Sequence, residues 1–172
     1  MTKSNRITLS TRIEGITAAH TAVNYRFTEL LRSLDDCIAA ERPLQRGVAD
    51  IFSISFDAAL AEAEMAHEAL LASLTAVIAT PEERHTDRPL RLVAMALNTL
   101  LAIECDNDRV YVFGTLMRNA HLLEPQGTHP AAKAVHRMQR RFFSLVTALM
   151  QLEDFGGPGP DDDGAFGPML AA

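Results

Sequence analysis

Residues 128–155 read THPAAKAVHRMQRRFFSLVTALMQLEDF, and the spacing of their apolar side chains decides the fold class. Ala131, Val135, Met138, Phe142, Leu145, Leu149 and Leu152 recur in alternating steps of four and three. An α-helix puts such a row on one face, whereas a half-buried strand would need strict alternation. The inward row is apolar throughout, so it predicts a helix with one side committed to a core. Thr128 and His129 before Pro130 mark its start, because proline is tolerated in the first helical turn, where a missing N–H costs nothing.

Three earlier segments repeat the pattern. From Thr11-Arg12-Ile13-Glu14, where the threonine oxygen and Glu14 can cap each other's backbone, a row runs through Ile13, Ile16, His20, Val23, Phe27, Leu30, Leu34 and Ile38. That helix is expected to stop near Glu41, since Pro43 disfavours the α conformation in the residue before it. The second segment, with Asp50 as candidate cap, carries Phe52, Phe56, Leu60, Glu64, His67, Leu71, Leu74 and Ile78 on its stripe. Beside it Ala59, Ala63 and Ala66 form a small-residue row that would let a neighbouring helix approach. Thr80-Pro81-Glu82-Glu83 signals a turn or a fresh cap. A third segment starts at Asp87-Arg88-Pro89 with the stripe Leu90, Val93, Leu97, Leu100 and Glu104. The polar run Glu104 to Asp108 predicts a kink or break, because Asp and Asn compete for backbone partners. Helicity should resume through Val110, Phe113 and Met117 and end before Pro125-Gln126-Gly127.

Long helices joined by short loops favour antiparallel neighbours. The expectation is an all-α, up-down bundle of four or five long helices over residues 1–155, with the first nine or so residues loose. The composition then changes to Gly, Pro and Asp, which predicts a flexible tail over residues 156–172.

Composition narrows the function classes. The 172 residues are 48% hydrophobic and 22% charged, within the globular range. A net charge of −6 argues against a nucleic-acid binder as a whole. The polar opening, with no apolar stretch behind it, predicts no secretory signal, and no apolar run approaches the roughly 18 residues of a membrane span. Cys37 and Cys105 lack CxxC spacing and read as reduced thiols, so the expected compartment is the cytoplasm, with a bacterial source suggested by the Ala/Arg-rich composition.

Ionisable residues interrupt the apolar stripes at His20, Glu64, His67 and Glu104. A turn near residues 44–45 would pair positions on the first two helices so that His20 lies level with about residue 69. A turn near residue 83 sets Glu104 level with about residue 62. Four candidate ligands from three helices would then share a layer. Burying them singly would cost several kcal/mol, so either a hydrogen-bonded cluster or a metal must compensate. The cluster without metal is the plainer expectation.

Glu64-Met65-Ala66-His67 has the Glu-x-x-His form and resembles one half of the site in ferritin-like di-iron carboxylate bundles. The resemblance implies metal binding, but no second such pair stands on another core helix. Glu82-Glu83-Arg84-His85 matches the spacing in a loop, and Glu29 falls on the polar side of its helix with Arg26 and Asp36. What remains is a single zinc, iron or manganese ion on His20, Glu64, His67 and Glu104, or a haem held without covalent bonds between His20 and His67.

Lys133, His136, Arg137, Arg140 and Arg141 crowd the outer side of the last helix. They form either a solvated face or a docking surface for an acidic partner. Val23-Asn24-Tyr25-Arg26-Phe27 resembles a segment near the end of the DNA-binding half of TetR-type repressors. The residues before it lack the two helices and glycine turn that such a unit needs. Leu170-Ala171-Ala172 resembles the end of the bacterial ribosome-rescue tag read by the ClpX unfoldase, which implies protease recognition. No serine elbow or phosphate loop is present. The leading expectation is a non-enzymatic bundle acting through protein–protein contact or self-association, with regulation as its context. A metal- or haem-binding bundle and a small-molecule-binding regulatory domain are the alternatives.

Overall fold

Thr21 opens the first described helix of the computed structural model, in which residues 21–45, 54–152 and 155 are described. Its carbonyl accepts from the Tyr25 N–H at 3.1 Å and its hydroxyl from the Asn24 N–H at 3.2 Å, the geometry of a threonine cap. The Thr11 cap, Ile13, Ile16, His20, Asp50, Phe52, the tail and its Leu170-Ala171-Ala172 end lie outside the described residues.

The described residues form five α-helices: α1 (Ala22–Gln45), α2 (Ile54–Ala79), α3 (Arg88–Leu101), α4 (Asp106–Arg118) and α5 (Pro130–Leu149), with a 3-10 turn at Ala120–Leu123. No strand occurs among the described residues. The apolar rows go where their periodicity sends them. Val23, Phe27, Leu30, Leu34 and Ile38 of α1 are buried, as are Leu90, Val93, Leu97 and Leu100 of α3. On α5 the same holds for Ala131, Val135, Phe142 and Leu149. Phe27 and Phe142 meet with ring centroids 5.7 Å apart, joining α1 to α5 in the core.

Contacts between distant residues set the helix directions. The Thr21 hydroxyl donates to Asp87 Oδ1 at 2.8 Å, so α1 and α3 start at the same end. The rings of His85 and His129 lie 6.1 Å apart, which brings the start of α5 to that end too. α2 and α4 therefore run back between them, and the bundle is up-down with antiparallel neighbours in sequence. It is the expected architecture.

Local details depart from expectation. α1 does not stop at Glu41; it continues to Gln45 with Pro43 inside. Proline there removes a single hydrogen bond in the last turn, where the helix frays in any case, so the penalty of a mid-helix proline is avoided. The buried side of α2 is Ala63, Leu70, Leu74 and Val77, while Leu60, Glu64 and Leu71 of the expected stripe are exposed. The inward row of α5 is not wholly apolar, since Gln139 is buried and its amide donates to the Leu123 carbonyl at 2.7 Å. Between α3 and α4 the expected break is present: Cys105 is extended, and Asp106 and Asp108 occupy the first turn of α4, where a helix N-terminus favours negative charge.

Candidate functional site

Asp87 is the most constrained acid in the described residues, and its role is structural. It is fully buried, and its second oxygen accepts from the backbone N–H groups of Glu83 at 3.0 Å and Arg84 at 3.1 Å. Glu83 in turn accepts from the Ala22 N–H at 3.0 Å. These bonds lock the connection between α2 and α3 onto the start of α1.

The register between α1 and α2 differs from the one expected for the His/Glu layer. Ser33 and Ser73 hydroxyls lie 2.7 Å apart, and this contact sets the register between α1 and α2. The same register puts His67 level with Ala39, because the connection between the helices is longer than a turn at residues 44–45 allows. His67 precedes the α2 terminus at Ala79 by twelve residues, about 18 Å of helix. His20 itself lies outside the described residues. Glu64 and Glu104 are exposed, and His67 is half-buried with its ring stacked on Phe155 at 6.4 Å between centroids. Glu41, Glu64 and His67 border one shallow groove of about 350 Å³. Among the described residues no group of three or more His, Cys, Asp and Glu side chains could hold a metal ion.

A larger groove lies elsewhere, between α1 and α5. It measures about 660 Å³, and Leu31 of α1 with Ala134 and Met138 of α5 form its apolar part. Three arginines line it: Arg32 from α1, and Arg137 and Arg141 from α5. Arg141 reaches across to Asp35 at 3.0 Å, and both side chains are more than half exposed, so that bridge ties little. Arg32 and Arg137 form no ion pair with any described residue. Glu29, the acid on the groove, is bound by Arg26 at 2.9 Å. The hydrogen bonds from Arg26 and then Tyr25 hold its carboxyl below the usual range, so it stays ionised and engaged with its own helix.

Of the basic row expected on the last helix, Arg137 and Arg141 thus face this groove. Lys133 and His136 line a neighbouring depression of about 440 Å³ that also includes Arg137. Arg140 is exposed. Arg32 and Tyr25 complete the surface, and the sequence reading missed both. Their only signal was position: each flanks the buried α1 row by one or two residues, on the side that happens to meet α5.

Bundle and groove define no class finer than an all-α helical protein. No protein-family model, no curated protein and no solved structure matches the chain. No helix among the described residues is long and apolar enough to cross a membrane.

Proposed function

We propose that this protein is a non-enzymatic helical bundle that works by self-association, with the outward side of α2 as the seam between two copies. One observation carries the reading. Ala58, Ala61, Met65, Ala69, Ala72 and Ala79 recur at helical spacing and are all exposed, Met65 at 72%. A helix normally turns charged or polar side chains toward water opposite its buried face. α2 instead offers a row of small apolar residues about 32 Å long.

The charge pattern favours a second copy in antiparallel orientation. α2 has no lysine or arginine, and three of its acids, Asp57, Glu62 and Glu64, fall in its N-terminal half, with Glu68 just past the middle. Parallel pairing would set these acids side by side. Antiparallel pairing about the middle of the row sets Asp57, Glu62 and Glu64 against the partner's neutral Thr80, Thr75 and Ser73, and only the two copies of Glu68 come near each other, beside the axis. A two-fold axis at the middle of the row also places Met65 over Ala72 of the other copy, so the one large side chain meets a small one. Alanines at such a crossing let helix axes approach toward the short end of the usual 8–10 Å range.

Light scattering coupled to size exclusion tests this directly. At about 100 µM, well above a micromolar dissociation constant, the expected mass is twice the 18.8 kDa of one chain. Ala72→Arg should give the single-chain mass with unchanged helical circular dichroism. A monomeric native protein at that concentration, or a dimer that survives Ala72→Arg and Ala61→Arg together, would overturn the reading.

A further inference from the structure

We infer that the groove between α1 and α5 is a docking site for an acidic peptide segment of a partner protein, one that carries an apolar anchor between carboxylates. The inference is independent of the α2 seam. It starts from a charge imbalance. The chain is acidic as a whole at −6, yet this surface gathers Arg32, Lys133, Arg137 and Arg141. Of the acids nearby, Glu29 is bound by Arg26, with the charge of Arg32 adding a smaller pull, and Asp35 by Arg141, which leaves Glu124 at the far end of the surface. Arg32 and Arg137 border the trough from opposite helices, without an ion-pair partner among the described residues.

Guanidinium groups bind carboxylates in planar, two-pronged fashion, and two of them flanking an apolar strip select a ligand with acids on both sides of a hydrophobic residue. Leu31, Ala134 and Met138 supply that strip, and methionine adapts to varied side-chain shapes. Tyr25, 63% exposed at the edge of the groove, adds an amphipathic wall of the kind enriched at protein interfaces. The trough is open and adjoins, at Arg137, the depression lined by Lys133 and His136, which suits an extended chain better than a small enclosed anion. Nucleic acid would use the same cations but has no reason to prefer an apolar anchor.

Fluorescence anisotropy decides the matter with three labelled probes. These are a peptide of about twelve residues mixing Asp and Glu with one Phe and one Leu, an all-acidic peptide of equal charge, and a single-stranded oligonucleotide. The mixed peptide is expected to bind with micromolar affinity, weakening as salt rises. Arg32→Ala with Arg137→Ala should weaken it at least tenfold, and Met138→Asp should do likewise, while helical circular dichroism stays as in the native protein. Ala72→Arg, on the α2 seam, should leave it unchanged. The inference fails if the mixed peptide does not bind, or if the arginine pair can be removed without loss. It fails equally if the all-acidic peptide binds as well as the mixed one, or if the oligonucleotide binds more tightly than either.

Discussion

Thr21 and Asp87, 66 residues apart in the chain, share a 2.8 Å hydrogen bond in a buried site at the common end of α1 and α3. Thr21 serves two helices at once, since its hydroxyl donates to Asp87 while accepting from the Asn24 N–H. Asp87 collects three hydrogen bonds and reaches no solvent. The joint replaces a long apolar contact at the end of the bundle with a polar clasp.

Removing the carboxylate should therefore be costly. Asp87→Ala leaves a hydroxyl and two backbone N–H groups without their acceptor, and the expected loss is about 2–4 kcal/mol. Thr21→Val, which deletes the cap and one donor, should lose about 1–2 kcal/mol. Urea denaturation followed by circular dichroism measures both, and an Asp87→Ala protein within 0.5 kcal/mol of native, about the scatter of an ordinary surface change, would mean the clasp contributes nothing.

The aromatic contact in the core gives a second prediction. Phe27 and Phe142 are both fully buried, and Phe142 also meets Phe143 edge-on with centroids 5.5 Å apart. Phe142→Ala should cost about 3–5 kcal/mol through lost burial and the cavity left between α1 and α5. Phe143, half-buried, should cost clearly less when truncated. Equal losses at the two positions would contradict this packing.

The α1–α2 register can be read chemically. With Ser33 and Ser73 oxygens 2.7 Å apart, Ser33→Cys and Ser73→Cys should close a disulfide under mild oxidation. A Cys105→Ser background removes the exposed native thiol. The pair Ser33→Cys and Phe56→Cys, level with each other only if the chain turned at residues 44–45, should stay reduced. Mass spectrometry of the intact chain distinguishes the two outcomes.

The two native thiols should behave in opposite ways. Burial, and then the negative charge of Glu41, push the Cys37 thiol from its ordinary 9.0 up to about 11. At pH 8 about one Cys37 in a thousand is then ionised, so a thiol-specific dye should label one cysteine per native chain and two after denaturation. The same shift has a consequence for stability. Because the folded pKa is the higher one, the unfolded chain gives up its proton first. Stability from this group is complete below pH 9 and declines as pH rises from 9 toward about 11. Cys37→Ala should flatten that decline in denaturation curves taken across the interval.

Helix periodicity was readable without coordinates, because it depends only on residue order and the fixed turn of the α-helix. The rows from Val23 to Ile38, from Leu90 to Leu100 and from Ala131 to Leu149 announced their inward faces. The break at Glu104 to Asp108 was equally local, a competition between side chains and backbone. α2 was harder to read. With Ala, Leu and Met around most of its circumference, two faces look alike, and only the positions of α1 and α3 decide which one is buried. Leu60 and Leu71 went to the surface and Ala63 to the core.

Register and juxtaposition lay beyond the sequence altogether. The level of His67 against α1 depends on the length of the connection between the helices, and a few residues more or less slide it along α1 by a turn or more. The groove of Arg32 and Arg137 joins the first and last described helices, more than a hundred residues apart in the chain, and no local pattern couples them. Asp87 read as a helix start, while its side chain turned instead to Thr21 and the preceding loop. Residue order alone determined that this chain makes amphipathic helices, since that is a property of neighbours three and four apart. Which faces meet, at what height, and which charges are left to address a partner were decided only by packing, where every helix competes for the same core.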